Sequence, residues 1–193
     1  LIPAKADTRR QILDIAENLL LDLGYNGFSY KHISSALGIR NASIHYHFPQ
    51  KSDLGVAIIQ RARRRFWRWS HSEEMQKRNP LEKLDVFFIF NKKFLHAGGQ
   101  CCLGGVLETC FKTLPTDMQM ETQAFISDML GWLTELLRDG RERGAFAFPG
   151  DPQDQAIVIM SSLQGALQVV RATDPSLFEA AARQIRKTVK SEK

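Results

Sequence analysis

The chain has 193 residues, 44% hydrophobic and 24% charged, with a formal net charge of +5. That balance suits one or two packed cores and excludes a disordered chain, and no apolar run reaches the roughly eighteen residues a membrane helix needs, so no membrane partner is expected. The three cysteines, Cys101, Cys102 and Cys110, are odd in number and two are adjacent, which excludes a disulfide framework and makes a reducing cytoplasm the expected setting.

The first residues lack a basic stretch followed by an apolar one, so no signal peptide is expected. Charge is uneven along the chain. Residues 1–80 hold 13 Lys and Arg against 7 Asp and Glu, a net of +6, whereas residues 81–193 hold 13 against 14. A basic segment beside a near-neutral one suits a polyanion-binding head on a body with another task; a merely solubilising basic surface would look the same.

The apolar periodicity is helical throughout. In a first helix Ile12, Ala16, Leu19, Leu20 and Leu23 recur at three- and four-residue steps. Asp7 or Thr8 is its expected cap and Gly24 its stop. A second helix is predicted over 29–37, capped by Ser29 and ended by Gly38, with Ile39 packing back under the turn. A third runs over 42–47, with Asn41 as its cap and Phe48-Pro49 as its terminator. The fourth begins near 50–52 and carries Leu54, Ala57, Ile58 and Ala62, then Arg63, Arg64 and Arg65, as a linking helix to about residue 75.

Helices follow over 80–96, 103–113 and 117–143, separated by Gly98-Gly99 and by Pro115. A loop rich in Phe and Gly spans 144–150. Asp151-Pro152 and Asp174-Pro175 each set a capping Asp before a Pro suited to a first helical position, which opens two last helices. The expected architecture is all-α with about nine helices. A small head is expected over 1–54 and a larger body over 76–193.

The stretch 29–54 carries the chemistry. Two short helices around a glycine turn cannot bury a core alone and need the first helix beneath them. Three helices so arranged make a helix-turn-helix, whose third helix enters the DNA major groove. The third helix is polar for its size: Asn41, Ser43, His45, Tyr46 and His47 surround Ile44 as inward anchor, and Ala42 is small enough for close approach. Tyr and His offer uncharged hydrogen bonds to sugar and phosphate. Lys51 opens the fourth helix, where a cation can hold a phosphate. A metal site on His32, His45 and His47 is not expected, because the spacing is wrong and neither Cys nor carboxylate lies nearby.

The run Gly38-Ile39-Arg40-Asn41-Ala42-Ser43-Ile44-His45-Tyr46-His47-Phe48-Pro49-Gln50-Lys51-Ser52-Asp53-Leu54 resembles the DNA-binding signature of the TetR family, and the likeness extends back through Gly24-Tyr25 and the first helix. It departs at Arg40 and Asn41, where Ser-Lys is common, and at His45, where Tyr is usual. The resemblance implies phosphate contacts from Tyr46, His47 and Lys51. Base or nearby backbone contacts are implied for Arg40, Asn41, Ala42, Ser43 and His45, and backbone contacts for Ser29 and Lys31.

The resemblance further implies a homodimer on a double-stranded operator, a repressor rather than an activator, and an unidentified small-molecule effector held by the body, with no cofactor. Ile159, Leu163, Ala166, Leu167, Val170 and Ile185 are the candidate dimer contacts; burial inside the monomer would account for the same residues. The body also resembles the NemR-type branch, repressors that sense electrophiles and oxidants, through Cys102-Leu103, Asp139-Gly140-Arg141 and Gly150-Asp151-Pro152. Cys102 then maps onto the reactive thiol, with Cys101 beside it. A thiol at the start of a helix can have a lowered pKa, although buried cysteines are commonly inert. Aromatics such as Phe87, Phe90 and Trp132 could line an apolar pocket or simply pack the core. No nucleophile–base pair, paired carboxylates or phosphate-loop glycines indicate an enzyme. The remaining rival is a helical adaptor that binds protein through the basic fourth helix.

Overall fold

The computed structural model describes residues 5–96 and 102–190. Among them are ten α-helices: α1 Lys5–Leu23, α2 Tyr30–Leu37, α3 Asn41–His47, α4 Lys51–Ser70, α5 Glu73–Lys77, α6 Pro80–His96, α7 Leu103–Thr109, α8 Thr116–Glu142, α9 Pro152–Arg171 and α10 Ser176–Val189. Two 3-10 turns, Tyr25–Gly27 and Phe111–Thr113, join them. The all-α expectation holds. No helix among the described residues is long and apolar enough to cross a membrane.

Several boundaries differ from expectation, each for a local reason. The chain is already helical at Lys5, so Asp7 lies in the first turn and accepts bonds from the side chains of Arg10 and Gln11 rather than capping. Asn41 is the first residue of α3, and Arg40, with extended backbone, takes the cap position. The linking helix ends at Ser70. There the hydroxyls of Ser70 and Ser72 bond the carbonyls of Trp67 and Trp69 and compete with helix propagation. Ser72 then caps the unexpected α5 by accepting from the Met75 N–H. The 103–113 helix divides after Thr109, whose hydroxyl bonds the Val106 carbonyl.

The chain forms two compact units, and they do not follow chain order. The first is Leu1–Arg64 with Leu103–Phe125; the second is Arg65–Cys102 with Ile126–Lys193. Hence α7 and the first turns of α8 pack with the head, not with the rest of the expected body.

In the first unit, Ile12, Ala16 and Leu20 of α1 are buried with Ile33 of α2, Ile44 of α3 and Leu54 and Ile58 of α4. Gly55 brings α4 against α8: a Cβ there would stand 2.3 Å from Sδ of the fully buried Met118. One turn onward the Glu121 carboxylate accepts from Gln60 Nε2 and Arg63, each at 2.9 Å. These bonds hold its pKa below the ordinary value against the opposing effect of burial. Arg61 reaches α1, pairing with Asp14 at 2.5 Å and with Glu17.

In the second unit, Phe66, Trp69, Phe87, Phe90 and Trp132 form a continuous ring cluster, with Trp69 stacked on Phe90 at 4.9 Å. Arg186 of α10 forks onto Asp85 of α6. Gly140 admits the Phe146 ring, which would lie 2.1 Å from a Cβ. Its carbonyl accepts the N–H groups of Ala145 and Phe146. Pro152 opens α9 as expected, and Asp151 accepts from the Gln153 N–H at 2.7 Å. Asp174 likewise accepts from Ser176, one residue beyond its proline.

Candidate nucleic-acid interface

Gly38 sets the angle between α2 and α3. It adopts φ 64°, ψ 29°, a left-handed conformation open to glycine, and its N–H returns to the Ser34 carbonyl. The Ile39 N–H bonds the same oxygen at 3.1 Å. Within α3, Ile44 is fully buried, so the opposite face, centred on Ala42 and Tyr46, points to solvent. Tyr46 is 67% exposed and meets His47 edge-on, ring centroids 5.2 Å apart.

The side chains expected at DNA separate into committed and uncommitted groups. Lys51 is committed. Its ammonium donates to the carbonyls of Tyr25 and Phe28, both at 2.5 Å, and lies 4.4 Å and 4.3 Å from the centroids of their rings. Burial lowers its pKa. The resemblance implies a phosphate contact for Lys51; in the DNA-free chain its long stem folds inward, because two aromatic faces and two turn carbonyls offer the ammonium a better site than water.

His45 is also engaged. Its ring meets the Tyr30 ring edge-on at 4.8 Å and its Nδ1 lies 3.2 Å from the Pro49 carbonyl. Tyr30 in turn donates its hydroxyl to the Phe48 carbonyl at 2.8 Å. Burial, then the Asp53 carboxylate and Tyr25, push the Tyr30 phenol up to about 12. Ser29 caps α2, and its N–H donates to His32 Nδ1 at 2.9 Å.

Arg40, Asn41 and Lys31 are different. All three are exposed, and their side chains make no hydrogen bond or ion pair within the described residues. Ala42 is exposed beside them and Ser43 is half-buried. The arrangement therefore presents one guanidinium fork, one carboxamide and one ammonium to solvent around a small residue.

The inward turn of Lys51 and the α4–α8 contact were not anticipated. A glycine inside a strongly helical pattern, Gly55, was the available signal for the second.

The candidate effector and dimer residues fall as follows. Cys102 is half-buried, forms no disulfide among the described residues, and lies directly before α7. Cys101 lies outside the described residues. Ile159, Leu163, Leu167, Val170 and Ile185 are buried within the chain itself, largely where α9 packs on α10, and Ala166 is half-buried. Packing inside the monomer, the alternative the sequence leaves open, accounts for the burial of those five. The exposed apolar residues of this hairpin are Ile157, Val158, Val169 and Leu177. Val158, Ser162, Gly165 and Val169 share one face of α9 at three- and four-residue steps. Among the described residues no cluster of three or more His, Cys, Asp or Glu could hold a metal ion.

Comparison with known proteins agrees with this arrangement. Residues 12–58 match the profile of the bacterial regulatory proteins of the TetR family. The fold is similar to the crystal structure of a TetR-family transcriptional regulator from Agrobacterium tumefaciens, with 29% identity and a TM-score of 0.92, covering 97% of this chain and all of that one. It is similar to a TetR transcriptional regulator from Legionella pneumophila, with 30% identity and a TM-score of 0.83 over 95% of this chain and 97% of that one. By sequence it is 24% identical over 163 residues to the HTH-type transcriptional repressor NemR of Escherichia coli K12, covering 83% of this chain and 82% of the relative.

Proposed function

The chain belongs to the TetR family of bacterial regulatory proteins, which are DNA-binding transcriptional regulators and not enzymes, and from that premise we propose that it is a repressor acting as a homodimer on a palindromic operator. The observation that carries this reading is the outer face at the start of α3, where Arg40 and Asn41 stand exposed without side-chain partners among the described residues. The name of the NemR relative favours repression.

DNA binding is assigned to residues 1–54, and effector binding and dimerisation to residues 76–193. Two copies would meet through the exposed apolar face of α9 and α10, with Val158 and Val169 central and Gly165 permitting close approach. The dimer sets two α3 helices into successive major grooves, about 34 Å apart. An effector in the body that binds better to a dimer of unmatched spacing lowers operator affinity by shifting the population. The half-buried Cys102 thiol is the candidate receptor for an electrophile.

Titration of the protein against duplexes enriched from a random pool tests the reading. A palindromic winner, bound with an affinity that falls linearly in log–log terms with salt, is expected. Binding without sequence preference would overturn it and favour the adaptor reading. For the thiol, operator release by an electrophile in the wild type and not in Cys102→Ser is expected; equal release by both would exclude Cys102.

A further inference from the structure

We propose that the operator half-site carries a guanine next to an adenine, read by Arg40 and Asn41 respectively, and that His45 positions α3 without reading sequence. The inference rests on the operator-binding reading and specifies what that operator contains.

The argument starts from which donors are spoken for. His45 is held by the Tyr30 ring and lies within hydrogen-bond distance of the Pro49 carbonyl, and Lys51 is spent on two carbonyls. Ser29 and His32 satisfy each other. Arg40 and Asn41 keep all their side-chain hydrogen-bonding capacity, because nothing in the described chain uses it. Both are exposed on the same stretch as Ala42, which lies opposite the buried Ile44. Ala42 keeps the approach to a surface open, so a carboxamide as short as that of Asn41 can reach it.

The major groove has a distinct partner for each group. A guanidinium donates two parallel bonds to guanine O6 and N7. A carboxamide donates to adenine N7 and accepts from its N6 amine. Adjacent Cα atoms lie about 3.8 Å apart, close to the rise of about 3.4 Å per base pair, so the proposal sets the two contacts on neighbouring base pairs. Arg40 holds extended backbone at φ −77°, ψ 146°, outside the helical ladder, which lets its long side chain diverge from that of Asn41.

Duplex selection on the wild type, Arg40→Lys, Asn41→Ala and His45→Phe tests the proposal, with thermal melts confirming that each variant is folded. The wild type should enrich a palindrome whose half-site holds the guanine–adenine pair. Asn41→Ala should lose preference at the adenine alone, and its affinity for the wild-type sequence should fall about ten- to a hundredfold. Arg40→Lys keeps the charge and loses the rigid fork, so it should weaken the guanine preference while binding random duplex as the wild type does. His45→Phe should select the wild-type sequence. A wild-type palindrome without the pair, or unchanged preferences in Arg40→Lys and Asn41→Ala, would overturn the assignment and leave operator binding intact. Enrichment of nothing by the wild type would overturn operator binding and this inference with it.

Discussion

Lys51→Met separates two uses of one positive charge. Methionine keeps an unbranched apolar stem over the Tyr25 and Phe28 rings and removes the ammonium. In the wild type that ammonium satisfies two carbonyls of the turn between α1 and α2. A hydrogen bond to a charged group contributes about 1.5–3 kcal/mol, and releasing the ammonium from a partly buried site returns part of that. A net loss of about 2–4 kcal/mol follows. For a chain of this size it corresponds to a fall of about 5–15 °C in Tm. The decisive assay is the salt dependence of operator affinity. Each neutralised phosphate contributes about −0.9 to the slope of log affinity against log salt. If Lys51 is an internal clamp, the variant melts earlier and binds more weakly with an unchanged slope. A slope smaller by about two, one phosphate for each protomer of the dimer, with an unchanged melting temperature, would refute the clamp and return Lys51 to the phosphate.

Tyr30 supplies a pH test. Its phenol is raised to about 12 in the folded chain from an ordinary value of 10.0. The native state therefore holds its proton where the unfolded state has lost it, so stability is full below pH 10 and is lost as pH climbs toward 12. Tyr30→Phe should remove that part of the alkaline decline, read from denaturant melts between pH 9 and 12. Gly55→Ala drives a methyl into Met118 Sδ and should cost about 1–3 kcal/mol by overpacking; the double variant Gly55→Ala, Met118→Ala should recover part of the loss in the same melts. Val158→Asp or Val169→Asp places a charge on the exposed face of α9, so sedimentation should report a shift from dimer to monomer with little change in helical content. A dimer that survives both substitutions would move the interface elsewhere.

The head was legible because its signals are local. Gly38 needs a left-handed turn, Phe48-Pro49 cannot continue a helix, and Ile33 and Ile44 mark the inward faces of α2 and α3. The orientation of Lys51 was not, because it depends on two rings more than twenty residues earlier in the chain. The surplus of apolar residues in α9 was legible as a quantity. What covers it was not: α10, strongly amphipathic, packs on α9, and Ile159, Leu163 and Leu167 are consumed inside one chain. A periodic pattern states how much surface must be buried and leaves the neighbour unnamed.

Gly55 and Met118 meet across more than sixty residues of chain, and both belong to the first compact unit. The compact unit that holds α3 is therefore not a contiguous stretch of the chain. A chimera that joins residues 1–75 of this protein to a foreign body would leave α4 facing a helix that never evolved to receive a glycine there, and would strand Gln60 and Arg63 without Glu121. Recombination within such a scaffold has to carry the segment 103–125 along with the head, or rebuild that seam residue by residue.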